Sequence, residues 1–232
     1  RSFADGDGDG TGDIPGLRAR LPWVRDLGVD ALWVNPWYPS PMVDGGYDVA
    51  DYRDVDRRFV GLPDVDDLPD EVIDDPVWRR SGFLIRGRDG CRVPLPWSGE
   101  EQPFGFSPPG VRTWLPQPPA WVGLTAATQG RDPGSMLALY RAALAIRRAH
   151  PGLAGERLAL VPAPPGILAF DRDAGLRCLV NVSGEPIGVP AGFRVLLRSD
   201  ATAAAGATRA ATPLPRDAAA WLEPAGIEAP SP

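Results

Sequence analysis

The chain has 232 residues, fewer than the roughly 250 that a (β/α)8 barrel needs, so a complete barrel followed by a second domain does not fit. The net charge is −6 and every basic residue is arginine, which excludes the basic footprint of a nucleic-acid binder and the polybasic patch of a membrane-surface protein. No apolar run approaches a membrane span, and two distant cysteines, Cys91 and Cys178, read as free thiols of a reducing cytoplasm rather than a disulfide framework. That places the chain in the cytoplasm, with room left for a leader ahead of Arg1.

Asp5-Gly-Asp-Gly-Asp-Gly-Thr-Gly-Asp13 is a tight acidic loop. Asp5, Asp7, Asp9, the Thr11 carbonyl and Asp13 fall at positions 1, 3, 5, 7 and 9 of an EF-hand-like loop, with Gly10 at position 6. Hard cations such as Ca²⁺ want several oxygens from a tightly turning backbone, and this spacing supplies them. Gly16 stands where the terminal bidentate acid belongs, so the loop is not a complete EF-hand. The competing reading is a solvated Asp/Gly turn.

Ile14 to Leu27 has helical spacing at Leu17, Leu21, Val24 and Leu27. Pro15 suits the first turn and Gly28 the C-cap, while Pro22 interrupts the interior at a cost of about 3 kcal/mol or a bend. Ala31-Leu-Trp-Val34 is an all-apolar run, as expected of a strand buried on both faces. Helix, turn and strand make one αβ step of a parallel barrel, and Asn35 to Tyr52 then occupies the functional C-terminal end of that strand.

Val60 to Gly130 shows almost no periodicity, and the proline-rich run Phe104 to Pro119 reads as loop. Asp132 or Ser135 caps a second helix with Leu137, Tyr140 and Leu144 on one face and Pro151 as its stop. His150, the sole histidine, is expected to be exposed in the last turn, where a cation suits the helix dipole. Strands are expected at Arg157–Val161, Ile167–Phe170, Leu176–Val182, Arg194–Leu197 and Ala218–Leu222. Turns such as Asp173-Ala-Gly175 separate them, which suggests a small antiparallel sandwich. Ala201 to Thr212 reads as a mobile loop. The tryptophans fall mostly in apolar runs, where core is the simpler reading than a sugar cleft.

Two sets of motifs carry a resemblance. Arg1-Ser-Phe-Ala-Asp5, Ala31-Leu-Trp-Val-Asn-Pro-Trp-Tyr-Pro-Ser-Pro41 and Asp44-Gly-Gly-Tyr47-Asp-Val-Ala-Asp-Tyr-Arg-Asp-Val-Asp56 resemble the start of an α-glucosidase of glycoside hydrolase family 13, the α-amylase superfamily. Gly61-Leu-Pro-Asp-Val-Asp-Asp-Leu-Pro69 and Gly87-Arg-Asp-Gly-Cys-Arg-Val-Pro-Leu-Pro-Trp97, with the text that follows, resemble the end of the same enzyme.

The resemblance implies a partial TIM barrel followed by an antiparallel β domain. Its segments are 1–60 as a barrel remnant with the cation loop, 61–150 as the late active-site loop and last barrel helix, and 151–232 as the β domain. It implies a structural Ca²⁺ on the acidic loop. It also implies that Asp44 and Tyr47 hold the glucose of the cleaved subsite, by carboxylate hydrogen bonds and ring stacking. Arg92 matches the arginine that faces the nucleophile, where a fixed guanidinium keeps a carboxylate ionised. Taken alone, Asp-Gly-Gly-Tyr is an ordinary turn and Arg92 a surface arginine.

Retaining glycosidases need two carboxyl groups about 5–5.5 Å apart. The Gly-Phe-Arg-x-Asp nucleophile motif, the acid glutamate after it and the later His-Asp pair of the resembled family are missing from this sequence, and the break falls near Phe59-Val60-Gly61. The expectation is an internally shortened α-glucosidase-like chain for malto- or isomalto-oligosaccharides, without turnover. The alternatives are a non-catalytic sugar- or Ca²⁺-binding module, and a fragment docking on an intact glucosidase. The N-terminal third is expected to be the looser part, because Ala31–Val34 needs neighbours on both faces.

Overall fold

A computed structural model of the chain describes residues 1–34, 40, 47, 76–84, 92–200 and 212–226. It divides into two compact units, Arg1–Thr128 and Gln129–Pro232. That boundary differs from the segment ends at 60 and 150 read from the sequence. Residues 92–128 fold with the N-terminus, and the second clear helix folds with the β domain.

The first unit begins with helix α1 (Ile14–Leu27). Asp13 is its N-cap, Pro15 lies in the first turn, and Gly28 closes it at φ 98° with its N–H on the Arg25 carbonyl. The helix continues through Pro22; the lost hydrogen bond is offset by packing on the neighbouring residues Trp23 and Val24. Trp23 meets Trp97 edge to face at 5.0 Å, and Phe3 does the same from another side at 5.0 Å. Trp97 is 3% exposed and joins Ala4 and Phe106 in a core flanked by Leu95 and Ala126. The Arg20 guanidinium covers the Trp97 ring at 4.4 Å and donates to the Gly105 carbonyl at 3.1 Å.

Long-range backbone bonds hold the same core: Leu95 N–H to Ser2 O at 2.8 Å, Asp5 N–H to Phe106 O at 3.0 Å and Trp114 N–H to Gly10 O at 3.1 Å. The expectation of a loose N-terminus is thus corrected for residues 1–28. The supposedly structureless stretch 92–128 supplies its core partner, through aromatic burial rather than periodic elements. Short helices α2 (Pro76–Arg80) and α3 (Ala126–Gln129) and a 3₁₀ turn (Pro119–Leu124) complete the described elements of this region.

Ala31–Val34 is not a strand. It has no regular secondary structure, and Leu32 and Trp33 are 49% and 87% exposed. An all-apolar run becomes a buried strand only when strands pair on both edges and layers cover both faces. Here no described strand pairs with it.

The second unit opens with α4 (Met136–Ala149), capped by Ser135, whose hydroxyl accepts from Ala138 N–H. Leu137 and Leu144 are half-buried, and Tyr140 on the same side of the helix is exposed at the rim of the groove described below. After the short α5 (Pro151–Ala154) come β1 (Ala159–Val161), β2 (Ile167–Asp171), β3 (Arg177–Asn181), β4 (Phe193–Arg198) and β5 (Ala218–Pro224). They form one antiparallel sheet in the order β1-β2-β3-β5-β4. The expected sandwich needs a second sheet, and the described strands make a single one. One face is closed by Leu214 and Ile187, joined by an isolated bridge, over Ala169, Leu179, Ala220 and Leu222. The other face carries Leu197, Ala219 and Trp221, which border a groove with Leu139, Tyr140 and Ala143 of α4.

Asn181 is fully buried and ties the sheet to its cover. Its Nδ2 donates to the carbonyls of Glu185, Leu214 and Pro215, and its Oδ1 accepts from Ser183. His150 is not an exposed last-turn residue. Its Nδ1 accepts from Gly152 N–H at 3.0 Å and its Nε2 faces the buried Glu223 at 3.4 Å. Packing against β5 outweighs the dipole argument there. Residues 201–211 of the anticipated mobile loop lie outside the described residues. Cys178 is buried, and burial pushes its thiol pKa up, so it is an inert core thiol.

Candidate functional site

The acidic loop curls on its own carboxylates. Asp5 accepts from Gly8 N–H at 2.7 Å with Oδ1 and from Gly10 N–H at 2.9 Å with Oδ2. Asp7 accepts from Asp9 N–H at 3.1 Å and Asp9 from Thr11 N–H at 2.7 Å. Asp13 Oδ1 receives both Gly6 N–H at 3.0 Å and Gly16 N–H at 2.6 Å, closing the loop onto the first turn of α1.

Asp5, Asp7 and Asp13 each bring an oxygen within 4.8 Å of the others. Three like charges this close disfavour one another. The inward amides offset part of this. Asp13 Oδ2 is buried with no hydrogen-bond partner among the described residues, and a buried carboxylate oxygen without a partner is costly unless a cation meets it. Chemistry and geometry therefore fit a hard, oxygen-seeking cation.

Asp9, one of the other expected donors, accepts the Thr11 N–H with a single oxygen, Oδ1, and is not among the three clustered acids. Gly16 has a structural reason to be glycine where an EF-hand has its bidentate acid: a Cβ there would lie 2.1 Å from the Ala4 carbonyl oxygen.

The loop rests against residues 104–114. Gly10, at φ 91°, passes so close to Arg112 that a Cβ would lie 2.2 Å from its carbonyl oxygen. Ser107 is 7% exposed, and its Oγ has no regular hydrogen-bond partner among the described residues. Burial by itself would raise the Asp5 pKa; Ser107 and the amides of Gly8, Gly10 and Asp7 outweigh it and hold the carboxyl below its ordinary value. No sequence signal pointed to Ser107, because the contact joins distant parts of the chain.

Of the three sugar-contact residues, Asp44 lies outside the described residues. Tyr47 is 55% exposed. Arg92 is half-buried, and its backbone carbonyl accepts the Ser2 hydroxyl, so the second set of motifs is joined to the very start of the first. Trp97, at the end of the Arg92 motif, is core rather than cleft lining.

Residues 1–78 match the family described as alpha amylase, catalytic domain. The relatives include a probable alpha-glucosidase of Rhizobium meliloti, 54% identical over 68 residues, which are 29% of this chain and 12% of that protein. An oligo-1,6-glucosidase of Heyndrickxia coagulans is 46% identical over 72 residues, 31% of this chain and 13% of that one. Among solved structures, the trehalulose synthase MutB from Pseudomonas mesoacidophila MX-45 has a TM-score of 0.50 at 21% identity, covering 70% of this chain and 33% of its own.

Residues 1–78 of this chain are thus similar to the catalytic domain of the alpha-amylase family, and an antiparallel sheet lies at the other end of the chain. Within that family the curated relatives are α-glucosidases and oligo-1,6-glucosidases. The matched stretch spans about an eighth of their length. It contains the acidic loop, Asp44 and Tyr47, and ends before Arg92. No helix among the described residues is long and apolar enough to cross a membrane.

Proposed function

We propose that this chain binds α-glucosides without hydrolysing them. Asp44 and Tyr47 grip a terminal glucose, Arg92 lines the same subsite, and a structural Ca²⁺ sits on Asp5, Asp7 and Asp13. The observation that carries the reading is that residues 1–78, which hold Asp44 and Tyr47, match the alpha-amylase catalytic domain, while a probable α-glucosidase, 54% identical over 68 residues, is matched over only 12% of its length. The sequence keeps residues suited to hold a sugar and lacks the motifs that carry the two carboxylates of a retaining mechanism. Short malto- and isomalto-oligosaccharides are the ligand class, and the chain acts in the cytoplasm. The sheet of the second unit is read as the counterpart of the parent's C-terminal β domain.

The metal has a structural part only: it neutralises the carboxylate cluster and fixes the loop that enters α1. Calorimetric titration with maltose and isomaltose tests the sugar reading. Saturable binding that Asp44→Ala abolishes supports it, and identical heats for both proteins refute it.

A second reading, docking on an intact glucosidase, is favoured by the exposure of Leu32 and Trp33 beside Leu21. Co-elution with such an enzyme, lost on Trp33→Asp, would favour it over sugar binding.

A further inference from the structure

We infer that His150 is a proton-operated latch on α5. Neutral, its ring caps the helix; protonated, it keeps its place against Glu223 and releases the cap.

Three observations carry it. His150 ends α4, with its backbone N–H on the Ile146 carbonyl at 2.8 Å, and begins α5 as the N-cap, with Nδ1 accepting from Gly152 N–H at 3.0 Å. Its Nε2 lies 3.4 Å from Glu223 Oε2 of β5, and the two side chains are 13% and 7% exposed. Gly152 is buried against the turn Asp173–Gly175: a Cβ there would lie 2.2 Å from the Asp173 carbonyl oxygen and 3.0 Å from Nδ1.

A ring nitrogen that accepts an N–H carries no proton of its own, so the neutral ring has its proton at Nε2, toward Glu223. A second proton can enter only at Nδ1, and two N–H groups then face each other across 3.0 Å. At Nε2 the same event turns a neutral contact with Glu223 into a charge-assisted one. The ring therefore stays with β5 while the start of α5 lets go. The surrounding charges keep to the same division. Glu223 also meets Arg194 of β4 at 2.5 Å. Beyond α5, Asp173 accepts from Arg157 N–H at 3.4 Å and Arg172 donates to the Gly155 carbonyl. Arg147 and Arg148 of α4 are exposed.

The test is NMR of the whole ¹⁵N-labelled chain between about pH 8 and 5, the range in which histidine ordinarily changes charge. His150 is the sole histidine, so its ring nitrogens are read directly. At the alkaline end the ring is the Nε2–H tautomer. As it charges, exchange protection of the Gly152 amide falls about fivefold at the midpoint of the ring titration, and the Nε2 proton stays observable. His150→Asn, which keeps an acceptor at the cap and does not titrate, holds the Gly152 protection constant over the same range. An Nδ1–H tautomer at the alkaline end, a ring that stays neutral throughout, loss of the Nε2 proton on charging, or Gly152 protection that ignores the ring titration overturns the latch. So does the same fall in His150→Asn, because the acid would then be acting elsewhere.

Discussion

Asp13 Oδ1 accepts the Gly16 N–H at 2.6 Å and so caps α1, while its other oxygen is buried and unpartnered beside Asp5 and Asp7. One side chain thus starts the helix and, on the proposed reading, would also offer an oxygen to the cation. The two roles separate by substitution. Asp13→Asn keeps an acceptor for the cap and removes the anion, so stability without Ca²⁺ stays near wild type while the Ca²⁺-induced rise in Tm disappears. Asp13→Ala loses both, and costs about 1 kcal/mol even without the metal. Thermal unfolding with EDTA or with millimolar CaCl₂ checks this; at a hundredfold excess over Kd the wild type gains about 2.7 kcal/mol.

Trp97 is the centre of the first unit, touched by Phe3, Trp23 and Arg20 from the N-terminal side. Trp97→Ala is expected to cost about 3–5 kcal/mol. Amides of α1 lose exchange protection, while those of β3 and β5 keep theirs. Equal loss in both regions would mean that the two units unfold as one.

Asp171 and Arg177 pair side by side across β2 and β3, with Nε to Oδ1 at 2.6 Å and Nη2 to Oδ2 at 2.8 Å. The Arg177 guanidinium holds the Asp171 carboxyl below its ordinary range, against a smaller opposing push from burial. A carboxylate with a lowered folded pKa contributes stability above the unfolded value, near 3.9, and that contribution fades as pH falls through the folded value. Asp171→Asn therefore lowers stability at pH 7 by roughly 1 kcal/mol and flattens the decline below about pH 4. Urea midpoints for both proteins between pH 2.5 and 7 give the comparison.

His150 joins the end of α4 to β5 through Glu223, whose side chain is 7% exposed and also meets Arg194 at 2.5 Å. His150→Ala removes the cap on Gly152 and one partner of a buried acid. The expected loss is about 1–2 kcal/mol, well above that of a surface residue. A loss under about 0.5 kcal/mol in urea denaturation would return His150 to the exposed role its last-turn position suggested.

Local signals in the sequence located what local chemistry decides. Pro15 and Gly28 bounded α1, Ser135 is the one of the two candidate caps that begins α4, and the five strands fall within two residues of their expected starts. Residues 92–128 were illegible because their order comes from Trp97, Phe106 and Leu115 packing at long range with no repeat to announce it. Ala31–Val34 misled for the opposite reason: its composition is that of a buried strand, and composition cannot say whether the neighbours exist. At the acidic loop the spacing pointed to Asp5, Asp7, Asp9, the Thr11 carbonyl and Asp13, and the fold gathers Asp5, Asp7 and Asp13.

The central claim is sugar binding without turnover. The most direct measurement incubates the purified chain with p-nitrophenyl α-glucoside in CaCl₂ and follows nitrophenol release, with isotherms for the same glucoside taken in parallel. The account predicts saturable binding that Tyr47→Ala weakens at least tenfold, and no nitrophenol above buffer. Release blocked by a glucosidase transition-state mimic would contradict it, because carboxylates elsewhere in the chain would then be doing the chemistry.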